Sequence, residues 1–242
     1  MIILGFQGTT LINYPRQISS IIFLGDCNLR CPYCYNKSLV YSNHNIQPLS
    51  KEYVLNEIRN RSSFNTGVCI SGGEPTLCHV ELTSLIHDIR AAAPGINIKL
   101  DTNGTRPEVL EHLLSEKEID YVAMDFKTVP SEYKGTFCKN DVSDSILESM
   151  KVIRTYLDPE HYEFRTTVTR DLFTPDIAKG MARYLSKQDH IYFQNFKYFG
   201  EEYHINTKAF NDVNLASYTT EQLLKVIEPI LRKCDNVYYR NF

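Results

Sequence analysis

The sequence CNLRCPYC, residues 27–34, places Cys27, Cys31 and Cys34 in one short loop with the spacing C-x3-C-x2-C. Three thiolates so close together can bind three corners of a cubane iron–sulfur cluster, because cluster irons require tetrahedral, sulfur-rich coordination. The fourth iron is left for an outside ligand. The spacing therefore predicts a cluster that binds a small molecule and takes part in its chemistry.

A zinc site is the alternative for these three cysteines. A closed zinc site needs four ligands, usually arranged as two separated pairs. The chain offers no second close pair, since the remaining cysteines are Cys69, Cys78, Cys138 and Cys234. The spacing therefore favours a cluster, and we expect the other four cysteines to be packing residues or free thiols.

Composition limits the class of protein further. A chain of 242 residues with 43% hydrophobic content can bury one sizeable core, so residues 1–242 are expected to form a single domain. The net charge of −3 gives no electrostatic reason to expect a nucleic-acid partner. No apolar run approaches the ~20 residues of a membrane span, and the N-terminus lacks the features of a signal peptide. Seven cysteines without such a signal favour reduced thiols and a cytoplasmic location.

Short apolar runs alternate with helical patterns along the chain, which is typical of β/α units around a parallel sheet. We predict strands at 21–24, 67–71, 97–102, 121–125, 162–169 and 191–196, and helices at 50–61, 80–93, 107–116, 143–157, 175–186 and 220–233. Residues 1–19 are taken as an N-terminal extension and 197–242 as a C-terminal segment, with 235–242 left unassigned. The pattern indicates an α/β fold with six β/α units.

Polar motifs follow several of the predicted strands. The second strand is followed by Ser-Gly-Gly-Glu-Pro (71–75), the third ends in Asp-Thr-Asn-Gly (101–104), and the fourth ends in Met-Asp-Phe-Lys (124–127). Because β/α folds build their sites at the carboxyl ends of the strands, these residues are expected to converge. The alternative is ordinary turn chemistry, for which Asp, Asn and Gly are well suited.

Arg165 lies inside the apolar fifth strand, where a charged side chain requires an anionic or polar partner. A salt bridge to Glu163 or Asp125 is one explanation for Arg165, and a bound anion is the other. Gln194, Asn195 and Lys197 follow the sixth strand and are further candidates for lining the site.

Together, the cysteine loop and the Gly-Gly-Glu-Pro loop resemble the radical SAM superfamily. This resemblance implies a partial, open (β/α)6 barrel, one 4Fe–4S cluster on Cys27, Cys31 and Cys34, and S-adenosylmethionine (SAM) bound to the open iron. Reductive cleavage of SAM then gives a 5′-deoxyadenosyl radical. The resemblance also assigns SAM contacts to nine residues: Tyr33, Asn36, Gly72, Gly73, Glu74, Asp101, Lys127, Arg165 and Thr167.

Two segments, Asp101–Gly104 and Met124–Lys127, resemble the glycyl-radical-enzyme activating enzymes within that superfamily. By this resemblance Asp101, Thr102, the carbonyl of Ala123 and Asp125 are ligands of a monovalent cation such as Na⁺ or K⁺. The opening GFQGTTLINYP (5–15) is similar to anaerobic ribonucleoside-triphosphate reductase activating proteins. The resemblance implies a glycyl-radical protein as substrate and a reduced flavodoxin or ferredoxin as electron donor.

Two positions depart from the activase pattern. Activases commonly carry Cys-His-Asn after the cluster loop, where this chain has Cys34-Tyr35-Asn36, and commonly have glycine before the first cysteine, where this chain has Asp26. Neither change removes a ligand, but both leave the target protein open. A radical SAM enzyme that modifies a small molecule or a peptide is the second hypothesis, and an iron–sulfur electron carrier without catalysis is the third.

Overall fold

The computed structural model describes residues 1–41, 46–199, 205 and 215–241. Within these residues one sheet contains eight strands in the order of the sequence. The strands are β1 (Ile3–Thr10), β2 (Ser19–Leu24), β3 (Gly67–Gly72), β4 (Asn97–Thr102), β5 (Tyr121–Asp125), β6 (Tyr162–Val168), β7 (His190–Asn195) and β8 (Asn236–Arg240). β1 pairs antiparallel with β2, and every later pair is parallel. In the described part of the chain β1 and β8 do not pair, so the sheet is an open, partial barrel.

Helices connect the parallel strands and cover one face of the sheet. They are α1 (Lys37–Val40), α2 (Lys51–Arg61), α3 (His79–Ala92), α4 (Pro107–Ser115), α5 (Tyr133–Thr136), α6 (Ser143–Tyr156), α7 (Pro175–Met181), α8 (Thr220–Val226) and α9 (Glu228–Leu231). Local capping explains several of the helix starts. The Ser50 side chain accepts a hydrogen bond from the Tyr53 amide, and Thr219 forms a capping box with Gln222.

The two faces of the sheet differ in chemistry because side chains alternate along each strand. Ile70, Leu100, Val122 and Phe164 belong to the large hydrophobic core, which includes the helices. The opposite, concave face carries polar residues in register, with Cys69 beside Lys99 and Lys99 beside Tyr121. This concave face is therefore the place where charged side chains of neighbouring strands meet.

The amino-terminal end of the barrel is sealed by Tyr14. Its ring lies 5.5 Å from the ring of Tyr121, and the two tyrosines form a small buried cluster with Ala123. A Cβ atom on Gly67 would approach the Tyr14 ring to 2.7 Å, so glycine is needed for this packing. The barrel consequently opens toward the carboxyl ends of the strands.

The predicted α/β class and the open barrel are confirmed, but two strands were not predicted. The N-terminal extension contains β1, which pairs with β2, and the unassigned tail contains β8, which pairs with β7. The predicted helix 175–186 ends at Met181 instead, and the predicted helix 220–233 is interrupted between α8 and α9. Pro229 accounts for this break, because proline has no amide hydrogen to donate to the preceding turn.

Part of the predicted C-terminal segment, at 200–204, 206–214 and 242, lies outside the described residues. Among the residues that are described, no helix has the length and apolar character needed to span a membrane.

Candidate active site

A cavity of about 340 Å³ opens at the carboxyl ends of the strands. This volume is within the range of small-molecule sites, ~300–1,000 Å³. It is lined by the cysteine loop, the start of the Gly-Gly-Glu-Pro loop and the ends of β4 to β7. Of the residues predicted from the sequence, Cys27, Cys31, Tyr33, Cys34, Asn36, Gly72, Gly73, Asp101, Thr102, Asp125, Lys127, Arg165, Thr167, Gln194, Asn195 and Lys197 all line it.

The loop that carries the three cysteines is held by its own backbone and by a neighbouring segment. The Leu29 amide lies 3.4 Å from the Cys27 sulfur, and the Cys34 amide donates to the Cys31 carbonyl at 3.0 Å. Arg30 donates from its side chain to the Cys27 carbonyl at 2.6 Å and from its amide to the Phe137 carbonyl at 2.7 Å. These hydrogen bonds hold the loop in a conformation in which all three cysteines line the cavity.

The chemistry of the three thiols fits a cluster better than a single metal ion. Among the described residues no three His, Cys, Asp or Glu side chains could hold one metal ion. A cubane cluster does not need such convergence, because each cysteine binds a different iron. Burial raises the pKa of Cys27 and of Cys31 to about 12, so their thiolate forms need a nearby positive charge, which the irons of a cluster would supply. These cysteines are thus suited to hold a cluster.

The Gly-Gly-Glu-Pro loop is attached to the segment that leads into the cysteine loop. The Gly73 amide donates to the Leu24 carbonyl at 2.8 Å, and the Glu74 amide donates to the Asp26 carbonyl at 2.7 Å. A Cβ on Gly72 would lie 2.2 Å from the Leu24 oxygen, and a Cβ on Gly73 would lie 1.9 Å from the Asp26 oxygen. The two glycines therefore permit close backbone packing between the loops, in addition to forming the cavity wall.

The side chain of Glu74 is directed into the protein and not into the cavity. It is 2% exposed, and its carboxylate accepts hydrogen bonds from the Asn103 amide at 2.6 Å and from the Thr102 hydroxyl at 2.8 Å. It also accepts from the Thr76 hydroxyl at 2.6 Å and amide at 3.2 Å. In this structure Glu74 holds the Asp-Thr-Asn-Gly turn against its own loop, whereas the backbone of Gly72 and Gly73 faces the cavity.

Two acidic and three basic side chains form a buried charge cluster on the concave face. Asp101 pairs with Lys99 and with the Arg165 Nη1 atom, the latter at 3.2 Å. Asp125 pairs with the Arg165 Nε atom at 3.0 Å and with the Lys127 Nζ atom at 2.8 Å. Of the two salt-bridge partners considered for Arg165 from the sequence, Asp125 is found. The other, Glu163, pairs with Arg240 at 3.3 Å.

Mutual attraction keeps all five groups of this cluster charged. Burial alone would raise the pKa of Asp101 and Asp125, but the neighbouring cations outweigh that effect and lower both values. Burial would likewise lower the pKa of Lys99 and Lys127, but the adjacent carboxylates raise both. The concave face at β4 to β6 is consequently ionic at neutral pH, and the cluster contains three positive and two negative groups.

Several uncharged residues complete the wall. Tyr33 is 7% exposed and its hydroxyl has no hydrogen-bond partner among the described residues, which is unusual for a buried hydroxyl. Its ring packs edge-on against Phe137 at 5.9 Å. Asn36 precedes α1 without capping it, and Thr167 lies in register with Gln194. A buried hydroxyl without a partner at the cavity wall fits a site that takes a polar ligand such as SAM.

Two residues that contact the predicted site were not among the candidates predicted from the sequence. Lys99 contacts Asp101, and the only sequence signal was its place two residues earlier on the same strand, which puts both side chains on one face. The Asn103 side-chain amide lies 3.9 Å from the Cys27 sulfur and donates to Asn28 at 2.8 Å. Asn103 therefore connects the third-strand motif with the cysteine loop.

Three known proteins are similar in sequence to parts of this chain. "Putative glycyl-radical enzyme activating enzyme MJ1227" of Methanocaldococcus jannaschii is 37% identical over 151 residues, which cover 62% of this chain and 60% of that protein. The 7-carboxy-7-deazaguanine synthase of Hyperthermus butylicus is 32% identical over 127 residues, covering 49% and 52%. The anaerobic ribonucleoside-triphosphate reductase-activating protein of Escherichia coli K12 is 30% identical over 93 residues, covering 36% and 59%. The chain thus spans about half to three fifths of the length of these relatives.

A solved structure resembles nearly the whole fold. The radical SAM methyltransferase from Sphaerobacter thermophilus superposes with a TM-score of 0.67 at 14% sequence identity, covering 97% of this chain and 69% of that one. At this identity the likeness concerns the fold alone. Residues 21–172, which include the three cysteines and the charge cluster, match the Radical SAM superfamily. The chain belongs to the radical SAM superfamily.

Proposed function

We propose that this radical SAM enzyme generates a glycyl radical on a partner protein, an anaerobic ribonucleotide reductase being the first candidate. The observation that carries the proposal is the 37% identity over 151 residues with a protein described as a glycyl-radical enzyme activating enzyme. The shorter match to the ribonucleotide reductase-activating protein, 30% over 93 residues, supports the choice of first candidate.

The residues around the cavity are suited to hold both cofactors. Cys27, Cys31 and Cys34 would bind three irons, leaving the fourth for the amino and carboxylate groups of SAM. The backbone of Gly72 and Gly73 faces the same space, and Lys127 and Arg165 supply positive charge for the carboxylate. When bound and reduced by one electron, the cluster and SAM together supply a 5′-deoxyadenosyl radical that can remove a hydrogen atom from a carbon.

The contribution of the protein is to orient the cofactors and to exclude water. Tyr33 and Lys127 are buried in the wall, and the Lys127 amide donates to the hydroxyl of Tyr133 at 2.8 Å, which fixes the end of β5. The Glu74 contacts fix the end of β4 in the same way. Fixed walls place the reacting carbon and exclude other hydrogen donors, which is how a site of this kind directs a radical. No proton transfer is needed, so no acid or base residue is assigned.

A small-molecule substrate is the second candidate function. It is favoured by the 32% identity over 127 residues with a 7-carboxy-7-deazaguanine synthase. The same cofactor-binding wall would serve both reactions, because hydrogen abstraction is common to them. The two functions therefore differ in what enters the open end of the barrel.

The deciding experiment uses anaerobically reconstituted enzyme, SAM, dithionite and the glycyl-radical protein encoded nearest its gene. Transfer to a glycine gives a doublet EPR signal on the partner. That signal is absent with a partner whose loop glycine is alanine, and with the Cys31→Ala enzyme, which lacks a cluster ligand. SAM cleavage without any partner signal, accompanied by modification of a small molecule, would establish the second function instead.

Two further features of the proposal concern the cell. A reduced flavodoxin or ferredoxin would deliver the electron, and the enzyme would act in the cytoplasm, where an oxygen-sensitive cluster and seven free thiols are compatible with reducing conditions. To test the electron donor, dithionite is replaced with purified flavodoxin or purified ferredoxin, each with its reductase, and the 5′-deoxyadenosine formed is measured.

A further inference from the structure

Two carboxylates that face one cavity repel each other unless positive charge lies between or beside them. For Asp101 and Asp125 the resemblance to activases implies a bound Na⁺ or K⁺. In this chain the positive charge comes from side chains instead. Lys99 contacts Asp101, Lys127 contacts Asp125, and Arg165 contacts both aspartates.

Every oxygen of the two carboxylates already has a donor. Asp101 Oδ1 accepts from Lys99, and Asp101 Oδ2 accepts from the Ser71 hydroxyl at 2.9 Å and lies 3.2 Å from Arg165 Nη1. Asp125 Oδ1 accepts from Arg165 at 3.0 Å, and Asp125 Oδ2 accepts from Lys127 at 2.8 Å. Three of these four oxygens accept from one donor and Asp101 Oδ2 has two, so an ion bound here would share its oxygen ligands with the lysine and arginine cations.

The other two ligands expected for the cation are Thr102 and the carbonyl of Ala123, and neither is well placed to bind it. The Thr102 hydroxyl donates to Glu74 at 2.8 Å and accepts from the Gly104 amide at 3.1 Å, so it is engaged on the side away from the charge cluster. Ala123 lies inside the sheet, in register with Asp101 on one side and Glu163 on the other. The expected ligand set therefore does not fit an additional cation.

Lys99 is the side-chain cation that pairs with Asp101, for which the resemblance to activases implies a bound metal ion. It is 1% exposed, its ammonium lies 3.8 Å from the Cys69 sulfur and 5.9 Å from the centre of the Tyr121 ring, and Asp101 is its ion-pair partner. A lysine buried to this degree must be paired. Its charge is thus fixed beneath Asp101, on the side of the aspartate away from the open cavity.

Charge balance leads to the same conclusion. Three cations surround two carboxylates, so positive groups already outnumber the two carboxylates of this cluster without any added ion. A further Na⁺ or K⁺ would add unpaired positive charge next to Arg165 and Lys127, which is costly where water is scarce. We propose that the ammonium of Lys99, paired with Asp101, supplies the positive charge that a monovalent cation would bring to this pair of aspartates, and that this enzyme binds SAM without Na⁺ or K⁺.

The test compares SAM affinity in KCl, NaCl and tetramethylammonium chloride at equal ionic strength. Equilibrium dialysis of labelled SAM against the reconstituted, oxidised enzyme gives the dissociation constant without turnover. For the natural enzyme we expect values within twofold in all three salts. For Lys99→Met we expect about tenfold weaker binding in tetramethylammonium chloride, the size of one lost hydrogen bond between charged groups, and recovery in KCl or NaCl.

Matched variants separate this effect from general salt sensitivity. Lys99→Arg keeps the charge and should remain independent of the cation, while Lys51→Met removes the lysine of the exposed Lys51–Asp88 pair and should behave as the natural enzyme does. If Lys99→Met does not fold by circular dichroism, Lys99→Gln, which keeps a donor at similar length, takes its place.

Two results would overturn the proposal: a natural enzyme whose SAM affinity changes fivefold or more between K⁺ and tetramethylammonium, or a Lys99 variant whose weakened affinity no cation restores. The proposal rests on SAM binding at this cavity and not on which partner receives the radical. Absence of SAM binding in every salt would refute the SAM site itself and this proposal with it, whereas a silent partner protein would leave the affinities unchanged.

Discussion

Replacing Glu74 with glutamine tests whether this residue holds the loops together or binds SAM directly. Its carboxylate accepts four hydrogen bonds, three at Oε1 from Thr76 and Thr102 and one at Oε2 from the Asn103 amide. A glutamine amide has one oxygen and one NH₂ group. In its better orientation the oxygen faces Thr76 and Thr102, and the NH₂ group then meets the Asn103 amide, donor against donor.

The expected loss in the free energy of unfolding follows from this one unfavourable contact between two donors. The lost hydrogen bond joined a charged acceptor to a buried amide, and such bonds contribute about 1.5–3 kcal/mol. Burial raises the pKa of Glu74, which shows that its charge is partly disfavoured in the folded protein, so the neutral glutamine regains some of the loss. We therefore expect Glu74→Gln to lower the free energy of unfolding by about 2 kcal/mol, or ~4–8 °C in melting temperature for a chain of this size.

Thermal melting followed by circular dichroism, with and without the cluster, measures this effect, and equilibrium dialysis measures SAM affinity on the same samples. Glu108→Gln, on a side chain that is 63% exposed, is the control and should melt as the natural enzyme does. A Glu74→Gln protein that melts within 1 °C of the natural enzyme but loses SAM affinity tenfold would refute the structural role and restore Glu74 as a direct SAM contact.

Three other outcomes are expected. Gly73→Ala places a Cβ 1.9 Å from the Asp26 oxygen and should lose most of its cluster, measured as iron and sulfide per chain. Gly95→Ala has only the backbone strain of its φ of +83°, with nothing within 4 Å of its Cβ, and should retain the cluster. Asp189 is fully buried and bonded to Arg154 at 2.7 and 3.0 Å, and this pairing lowers its pKa against the effect of burial. Its stabilisation is therefore complete above the unfolded pKa of ~3.9 and lost as pH falls through the lower folded value, so Asp189→Asn should cost ~2 kcal/mol at pH 7 and clearly less at pH 3 in urea denaturation. Asn103→Ala removes an amide 3.9 Å from the first cluster cysteine and should lower the midpoint potential of the cluster by ~20–40 mV in an EPR-monitored titration, because hydrogen bonds to sulfur stabilise the reduced form.

The sequence was most informative where local chemistry determines structure. The four parallel strands β2 to β5 and the polar residues after them were predicted nearly to the residue, since apolar runs followed by Gly, Asp and Asn leave few alternatives. The three cysteines were predicted from spacing alone, because ligands within one loop are necessarily close in space. Such features depend on neighbours along the chain.

The features that were missed depend on residues far apart in the sequence. β8 has no strong pattern of its own and is placed by pairing with β7, which also brings Arg240 to Glu163, 77 residues earlier. Lys99 was overlooked because a lysine within a strand normally reaches solvent. It is buried here because its strand neighbours Cys69 and Tyr121 and its ion-pair partner Asp101 surround it on the concave face. Which face of a strand becomes interior is a property of the assembled sheet.

The contrast between local and long-range features also applies to the two aspartates. Their motifs alone do not show which charges surround them, whereas the charge cluster does. Asp101, Asp125 and Lys127 belong to segments that resemble those of activases, and from them alone one expects a bound ion. The observed pairing with Lys99 and Arg165 supplies the positive charge from β4 and β6 instead, so the same motif residues are balanced without an ion. A motif specifies which side chains reach an edge of the sheet, but the charges that surround them come from neighbouring strands and from earlier positions on the same strand. In this chain the balance of charge at the two strand-end aspartates therefore follows from the concave face, and the position two residues before Asp101 supplies one of the cations.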